Sequence, residues 1–174
     1  DRICDLVPQA KVKGFEYWQA LKWHILEIVP DLCHDVTLWR TEVIRRGLAE
    51  LKVAKAEAQT MVSDIFETFY HARSDFDVPE SSKSVLTKLM RRFPLVAVTN
   101  GNAYIERIGL APYFVGYYRA GEQGTRSKPF RDMLHLAAEQ LDIAPKHILH
   151  IGDNIGTDVQ SALNAGCPNL LFNP

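Results

Sequence analysis

The stretch ILHIGDNIGTDVQSALNAG, residues 148–166, decides the fold class of this chain. A short apolar run ends in Gly152 and Asp153, a second acid follows at Asp158, and a helical pattern then begins. A buried strand followed by a turn and a helix is the unit from which parallel sheets are built. Because ligands of such sheets bind beyond the carboxyl ends of the strands, the two acids stand where a binding site is expected.

The same alternation runs through the whole second half of the chain. The apolar patterns predict helices over 82–93, 129–141 and 156–166, and strands over 95–99, 113–120, 147–152 and 169–172. Pro129 is expected in the first turn of its helix. Continuously apolar strands fit a parallel sheet that helices cover on both faces. We therefore predict an α/β fold with a Rossmann-like parallel sheet as its core.

The first half of the chain reads differently. Apolar residues at three-and-four spacing predict helices over 18–29, 36–51 and 54–72, with Pro30 and Gly47 marking breaks or ends, and no strand. The change of pattern predicts two domains, a helical one over residues 1–78 and an α/β one over residues 79–174.

Charge and cysteine usage exclude several classes of partner. The chain carries 20 basic and 21 acidic residues, a net charge of −1, which gives no electrostatic reason to expect a nucleic-acid or membrane partner. Cys4, Cys33 and Cys167 are far apart and form no CxxC pair, so neither a disulfide framework nor a zinc site is indicated. We expect a cytoplasmic protein, and the sequence leaves its oligomeric state open.

Polar residues follow the predicted strands in a set that suits phosphoryl transfer. Thr99, Asn100 and Gly101 follow one strand, Lys128 lies in a loop before a helix, and Asp153 with Asp158 follows another strand. A hydroxyl, backbone N–H groups and a lysine supply donors for phosphate oxygens. Mg²⁺ needs only one or two carboxylates besides the substrate phosphate and water.

Each of these residues also has an ordinary structural interpretation. Asn100 and Gly101 are common in turns, and Lys128 is of a type that is usually solvated. Asp153 could be a helix N-cap, and Asp158 could complement the helix dipole. Their shared position at strand ends favours a common site over four separate explanations.

At these residues the chain resembles the haloacid dehalogenase superfamily of phosphohydrolases. VTNGN (98–102), SKP (127–129) and GDNIGTD (152–158) look like its second, third and fourth motifs. The resemblance implies Thr99, Asn100 and Gly101 as phosphate-binding residues, and Lys128 as the cation that holds the nucleophile and the phosphoryl group. It implies Mg²⁺ as cofactor, with Asp153 as ligand and Asp158 as ligand or support. The helical domain then corresponds to the α-helical cap of the superfamily.

Four segments narrow the resemblance further. HDVTLWR (34–40), VAVTNGN (96–102), RAGEQGTRSKPF (119–130) and ILHIGDNIGTDV (148–159) are most similar to bacterial phosphatases of FMN and ribitylaminouracil phosphate. The resemblance implies hydrolysis of a small phosphorylated metabolite through an aspartyl-phosphate. Two alternatives stay open, a metal-independent haloacid dehalogenase and a non-catalytic binding module.

The first motif of the superfamily, DxDxT, is absent from these residues. The nearest segment, SDFDVPES (74–81), follows a helical pattern and reads as a linker. In the superfamily the strand bearing this motif lies centrally, between the strands predicted here at 95–99 and 147–152. Its absence would leave an open apolar slot, since buried backbone groups are almost always paired. We therefore expect a longer protein with segments before Asp1 and after Pro174, and little activity from this chain alone.

Trp39 and Arg40 are candidate substrate residues of the cap. The tryptophan could stack on a planar ring, and the arginine could hold a phosphate or ring oxygen. The alternative is that Trp39 packs in the cap core while Arg40 pairs with Asp35 or another local acid. His150, inside a predicted strand, is expected to be a core histidine with its hydrogen bonds satisfied.

Overall fold

The computed structural model describes residues 2–173, and these form two compact units. The helical unit comprises the chain up to Asp77 together with Asn102–Ile108. The α/β unit comprises Val78–Gly101 and the chain from Gly109 onward. Residues 102–108, which the sequence pattern assigns to the α/β part, thus cluster with the helices.

The helical unit contains the three helices that the sequence predicts and one that it does not. The helices are α1 (Arg2–Leu6), α2 (Gly14–Ile28), α3 (Val36–Glu50) and α4 (Lys55–Arg73). Asp35 begins α3, because its carboxylate accepts the N–H groups of Thr37 and Leu38 at 2.9 Å. Residues 74–79, between α4 and the next helix, contain no strand, in agreement with the prediction of a linker, but Glu80 and Ser81, which that prediction includes, belong to the next helix.

Gly47 does not end a helix, so its prediction as a break is wrong. It lies buried inside α3, where a Cβ would overlap the ring of Trp18. The glycine is needed for this close approach of α2 and α3, which is why a helix-breaking residue type stands inside a helix. A core of Leu21, Ile25 and Val43 lies between the same two helices.

The α/β unit follows the predicted order of helices and strands. Its elements are α5 (Glu80–Met90), β1 (Val96–Thr99), β2 (Gly116–Arg119), α6 (Asp132–Gln140), β3 (His150–Gly152), a π-helical turn (Ile155–Val159), α7 (Gln160–Ala165) and β4 (Asn169–Leu171). Pro129 lies outside the first turn of α6, contrary to prediction. The carbonyl groups of Pro129 and Phe130 accept hydrogen bonds from α7, and these tertiary contacts hold that segment as a loop.

The strands form two separate parallel pairs instead of the single predicted sheet. β1 pairs with β2 from Val96↔Gly116 to Thr99↔Arg119, and β3 pairs with β4. Within residues 2–173 no strand connects β1 to β3. Both pairs have the parallel orientation expected of an α/β fold, and the break between them falls where the sequence predicts a missing strand.

Helix α6 supplies the core shared by the two strand pairs. Met133 and Leu134, next to each other on α6, are buried in different apolar clusters. Val98 of β1 and Ile148, just before β3, pack against both clusters. The carboxyl end of β1 and the residue just before β3 therefore pack against one helix, which links the two strand pairs.

Candidate phosphate site

Lys128 is the centre of the site. Its Nζ donates to the carboxylate Oδ1 of Asp158 at 2.6 Å and to the carbonyl oxygen of Val98 at 3.1 Å. The two side chains of this ion pair are only 11% and 8% exposed. Buried charges need such partners, so the interpretation of Lys128 as a solvated loop residue is wrong. Its ammonium group lies at the carboxyl end of β1, next to Thr99.

Asn100 holds the backbone of Lys128 from the end of β1. Its side-chain oxygen accepts the Lys128 N–H at 2.7 Å, and its side-chain nitrogen donates to the Lys128 carbonyl at 2.9 Å. This pair of bonds joins positions 28 residues apart and uses both ends of the amide. The contact fixes where the lysine side chain begins.

A second set of bonds holds the loop after Lys128. Ser161 of α7 donates to the Phe130 carbonyl, and Asn164 donates to the Pro129 carbonyl, each at 2.9 Å. Sequence reasoning missed both residues. A polar pair three residues apart in a helix gives a weak signal, because it is equally typical of a solvated helix face.

Both carboxylate oxygens of Asp158 accept hydrogen bonds from the protein. Its Oδ2 accepts the backbone N–H of Asn154 at 3.0 Å, while its Oδ1 faces Lys128. Burial alone would raise the pKa of Asp158, but the hydrogen bond and charge of Lys128 outweigh it and hold that pKa below its usual range. Gly152 makes room for this carboxylate, since a Cβ there would overlap it. The spacing of Gly152 and Asp158 in the sequence therefore has a steric basis.

Asp153 stands apart from this network. It is exposed directly after β3, and no hydrogen bond or ion pair to its carboxylate is found in the described part of the chain. The N-cap of the following turn is Asn154, whose side chain accepts the Thr157 N–H at 3.0 Å. The interpretation of Asp153 as the N-cap is therefore wrong, and its oxygens stay open to solvent.

Thr99 ends β1 with its hydroxyl oxygen accepting the N–H of Gly101 at 2.9 Å. This turn closes the strand end and uses one of the backbone N–H groups that the sequence suggests for phosphate. Among residues 2–173 the hydrogen of the Thr99 hydroxyl has no acceptor, so it is available to a ligand oxygen.

His150 is buried in β3 as predicted, but its hydrogen bonds are not satisfied. Its Nε2 lies 3.5 Å from Oδ1 of Asp158 and has no hydrogen-bond partner among the described residues. Burial, followed by repulsion from Lys128, lowers the pKa of His150 in spite of the attraction of Asp158.

The donor set can be compared with the needs of a divalent cation. No group of three or more His, Cys, Asp or Glu side chains within residues 2–173 is arranged to hold a metal. Each oxygen of Asp158 already accepts a hydrogen bond, whereas the carboxylate of Asp153 has no partner among the described residues. A single open carboxylate can be enough for Mg²⁺, which keeps several waters.

Trp39 and Arg40, the candidate substrate residues of the helical unit, pack against apolar and aromatic side chains. Trp39 packs against the core of Leu21, Ile25 and Val43, as the structural alternative expects. Arg40 does not pair with Asp35, whose carboxylate is used to cap α3. Arg40 stacks instead on aromatic rings.

Two further features bear on the sequence predictions. Cys4, Cys33 and Cys167 are free thiols. None of the helices within residues 2–173 combines the length and apolar character needed to cross a membrane.

Comparison of the chain with models of protein families and with known proteins identifies its family. Residues 6–166 match the model of the haloacid dehalogenase-like hydrolases, and the chain belongs to that family. The chain is 41% identical over 156 residues to the 5-amino-6-(5-phospho-D-ribitylamino)uracil phosphatase YigB of Escherichia coli (strain K12), covering 90% of this chain and 65% of that protein. It is 30% identical over 124 residues to the phosphoglycolate phosphatase of the same strain, covering 66% of this chain and 48% of that protein.

A solved structure resembles almost the whole chain. The crystal structure of a 2-haloacid dehalogenase from Pseudomonas syringae pv. Tomato DC3000 superposes with a TM-score of 0.90 at 26% sequence identity. The match covers 99% of this chain and 76% of that chain. The present chain thus spans about two thirds of the length of YigB and about half that of the phosphoglycolate phosphatase.

Proposed function

We propose that this chain is the larger part of a phosphatase that hydrolyses a small phosphorylated metabolite with Mg²⁺. The observation that carries the proposal is the buried Lys128 ammonium group, which Asp158 and the carbonyl of Val98, the residue before Thr99, hold at the carboxyl end of β1. A cation and a hydroxyl donor at one strand end suit the oxygens of a phosphate ester. The similarity to YigB favours a ribitylaminouracil phosphate as the substrate, and the resemblance of the sequence motifs adds FMN as a second candidate.

Each residue takes one role in this proposal. Thr99, with the backbone that follows it, donates to phosphate oxygens, and Lys128 offsets the charge of the transferring group. Asn100 and Asp158 are positioning residues, because their polar atoms are already used to hold Lys128 and the turn after β3. Gly101 closes the turn.

Asp153 is proposed as the carboxylate that holds Mg²⁺. When bound, the ion would neutralise negative charge on the phosphate oxygens. Asp158 supports that arrangement without reaching the ion, since it ties the backbone N–H of Asn154, the neighbour of Asp153.

The nucleophile of an aspartyl-phosphate mechanism is proposed to lie on a further strand between β1 and β3. Its carboxylate would attack phosphorus and release the alcohol, and water would then cleave the acyl phosphate. β1 and β3 each pair with one strand in the described residues, which supports a place for a third strand between them.

Two other parts of the proposal rest on the sequence. The small net charge gives no reason to add a nucleic-acid or membrane partner, and the cysteine pattern favours a cytoplasmic location. Trp39 and Arg40 stay candidates for contacts to the substrate.

The test compares this chain with a protein extended upstream of Asp1. Both are assayed with FMN, a chromogenic phosphate ester and a 2-haloacid, with Mg²⁺ and with a chelator. We expect metal-dependent release of phosphate from the extended protein and none from this chain. Halide release that survives the chelator would instead favour a dehalogenase, as the similar Pseudomonas structure is named. Absence of turnover by a folded extended protein would favour a binding module.

A further inference from the structure

His150 is a polar side chain that β3 turns toward the interior of the α/β unit. Ile148, two residues earlier and therefore on the same face of the extended chain, packs against two apolar clusters of that unit. His150 itself is 7% exposed, whereas its apolar neighbours Leu149 and Ile151 are 56% and 50% exposed. The usual pattern of apolar residues inside and polar residues outside is reversed at this strand.

Packing does not explain why a histidine stands there. Its Nε2 lies 3.5 Å from Oδ1 of Asp158, and the two side chains are 7% and 8% exposed. Within residues 2–173 this nitrogen has no hydrogen-bond partner, and a buried polar atom in that state costs free energy. An apolar side chain of similar size would avoid the cost. The contact with Asp158 is the feature that an apolar residue would lack.

The carboxylate determines which group His150 presents at Nε2. A histidine ring nitrogen carries either a hydrogen or a lone pair. A lone pair at Nε2 would face the negative Oδ1 of Asp158 and be repelled by it, and this effect is strong in surroundings of low dielectric constant. A hydrogen at Nε2 would be attracted. At 3.5 Å the contact is longer than an ordinary hydrogen bond, so the attraction is electrostatic.

The same carboxylate oxygen orients the ammonium group of Lys128. An ammonium group has three N–H bonds. One of them points at Oδ1 of Asp158 and one at the carbonyl oxygen of Val98, and the third has no acceptor within residues 2–173. The direction of the third N–H therefore depends on where Oδ1 lies, and His150 acts on that oxygen from a buried position.

We propose that the Nε2 of His150 carries a hydrogen that faces Oδ1 of Asp158, and that His150 is a positioning residue which acts on Lys128 through that oxygen. An effect on turnover rests on the proposed phosphatase function. The hydrogen at Nε2 and the effect on the Lys128 ammonium group do not rest on it, because both concern contacts within this chain.

The first test locates the hydrogen on the ring by NMR. Long-range ¹H–¹⁵N spectra of the ¹⁵N-labelled chain distinguish ring nitrogens that carry a hydrogen from those that do not. The signals of His150 are identified among the six histidines by their absence from the His150→Gln variant. We expect Nε2 of His150 to carry a hydrogen. A spectrum with the hydrogen on Nδ1 alone would overturn the proposal.

The second test compares two replacements of His150 in the same chain. The side-chain amide nitrogen of His150→Gln reaches about as far as Nε2 and keeps a donor, whereas His150→Leu has none. The readout is the exchange of the Lys128 ammonium hydrogens with water, with the resonance identified by its absence from Lys128→Met. We expect faster exchange in His150→Leu and exchange close to wild type in His150→Gln. His147→Leu, at an exposed histidine, is the control and should change nothing.

The same variants are then assayed in the extended protein with a chromogenic phosphate ester. His150→Leu should lower kcat by about tenfold, as for loss of a partner that orients a site residue, and His150→Gln should restore most of it. Equal kcat and equal Lys128 exchange in the two variants would overturn the positioning role. If the wild-type extended protein is inactive, the phosphatase proposal fails, and the two NMR measurements still decide the role of His150. Should His150→Leu not fold, the ring spectrum and the exchange in His150→Gln decide it.

Discussion

Lys128 and Arg40 are both partly buried cations, but within residues 2–173 only Lys128 has a carboxylate partner. Lys128 lies against Asp158 and a backbone carbonyl, in a network that also holds Asn100 and Asn154. Arg40 lies against two aromatic rings with a buried donor unmet. A cation with a buried carboxylate partner stabilises the fold, whereas a buried donor without an acceptor costs free energy.

The largest expected effect is on stability when Lys128 is removed. Lys128→Met leaves the buried Asp158 carboxylate without its partner and should lower the free energy of unfolding by about 3–5 kcal/mol. Arg40→Met leaves no acid unpaired and should change it by about 1 kcal/mol or less, the scale of the lost ring contacts. Urea unfolding of the two variants measures both values. Equal losses would remove the distinction between the two cations.

Gly152→Ala tests the packing around the paired cation. A methyl group at position 152 would overlap the Asp158 side chain, and the resulting displacement should cost about 1–3 kcal/mol. Gly156→Ala is the matched control, because a Cβ there meets only the Asn154 side chain at 3.4 Å. Thermal unfolding should separate the two variants by several degrees. A tolerated Gly152→Ala would show that Asp158 is not tightly enclosed.

Asp35→Ala tests whether Arg40 truly lacks a carboxylate partner. The variant loses the N-cap of α3 and should cost about 1 kcal/mol. Asp31→Ala, an exposed change in the preceding turn, serves as control in the same urea experiment. A loss of 3 kcal/mol or more, on the scale of a broken buried ion pair, would mean that Asp35 also supports Arg40.

The smallest expected effect is on the pKa of Asp132, which forms an ion pair with Arg126. The hydrogen bonds of Arg126 outweigh the effect of burial and lower the pKa of Asp132 from 3.8 to about 2. Because the pKa falls on folding, this pair stabilises the protein above pH 3.8 and loses that contribution as the pH falls toward 2. An NMR titration of the carboxyl group should give the low value, and Arg126→Met should raise it. An unchanged pKa in that variant would contradict the assignment.

The sequence predicts correctly where some candidate residues lie, whereas their roles stay predictions. Thr99, Asp153 and Asp158 follow strands, and the strand pattern was enough to place them at carboxyl ends. The π-helical turn and the enclosure of Asp158 depend on close approach to Gly152, which a pattern of residue types does not encode. The bonds from Asn100 to Lys128 join residues 28 apart, so the positioning role of Asn100 appears only in three dimensions.

Two side chains make other contacts than the sequence predicts, because neighbouring groups already use the expected partner. Asp35 is near Arg40 in sequence, which suggested an ion pair, but its carboxylate is better placed for the free N–H groups at the start of α3. His150 was expected to be satisfied because most buried polar groups are. Its unmet nitrogen lies beside a carboxylate that Lys128 already engages.

The most direct test of the proposed phosphatase site is the kcat of the extended protein for a chromogenic phosphate ester in the Lys128→Met variant. It is measured at low temperature, with the folded fraction read from circular dichroism, beside Lys146→Met as a control at an exposed lysine. Per folded molecule we predict a loss of at least about 100-fold, as for removal of one group that stabilises transition-state charge. A folded Lys128→Met variant within about threefold of the wild-type kcat, well short of such a loss, would show that Lys128 does not serve the reaction.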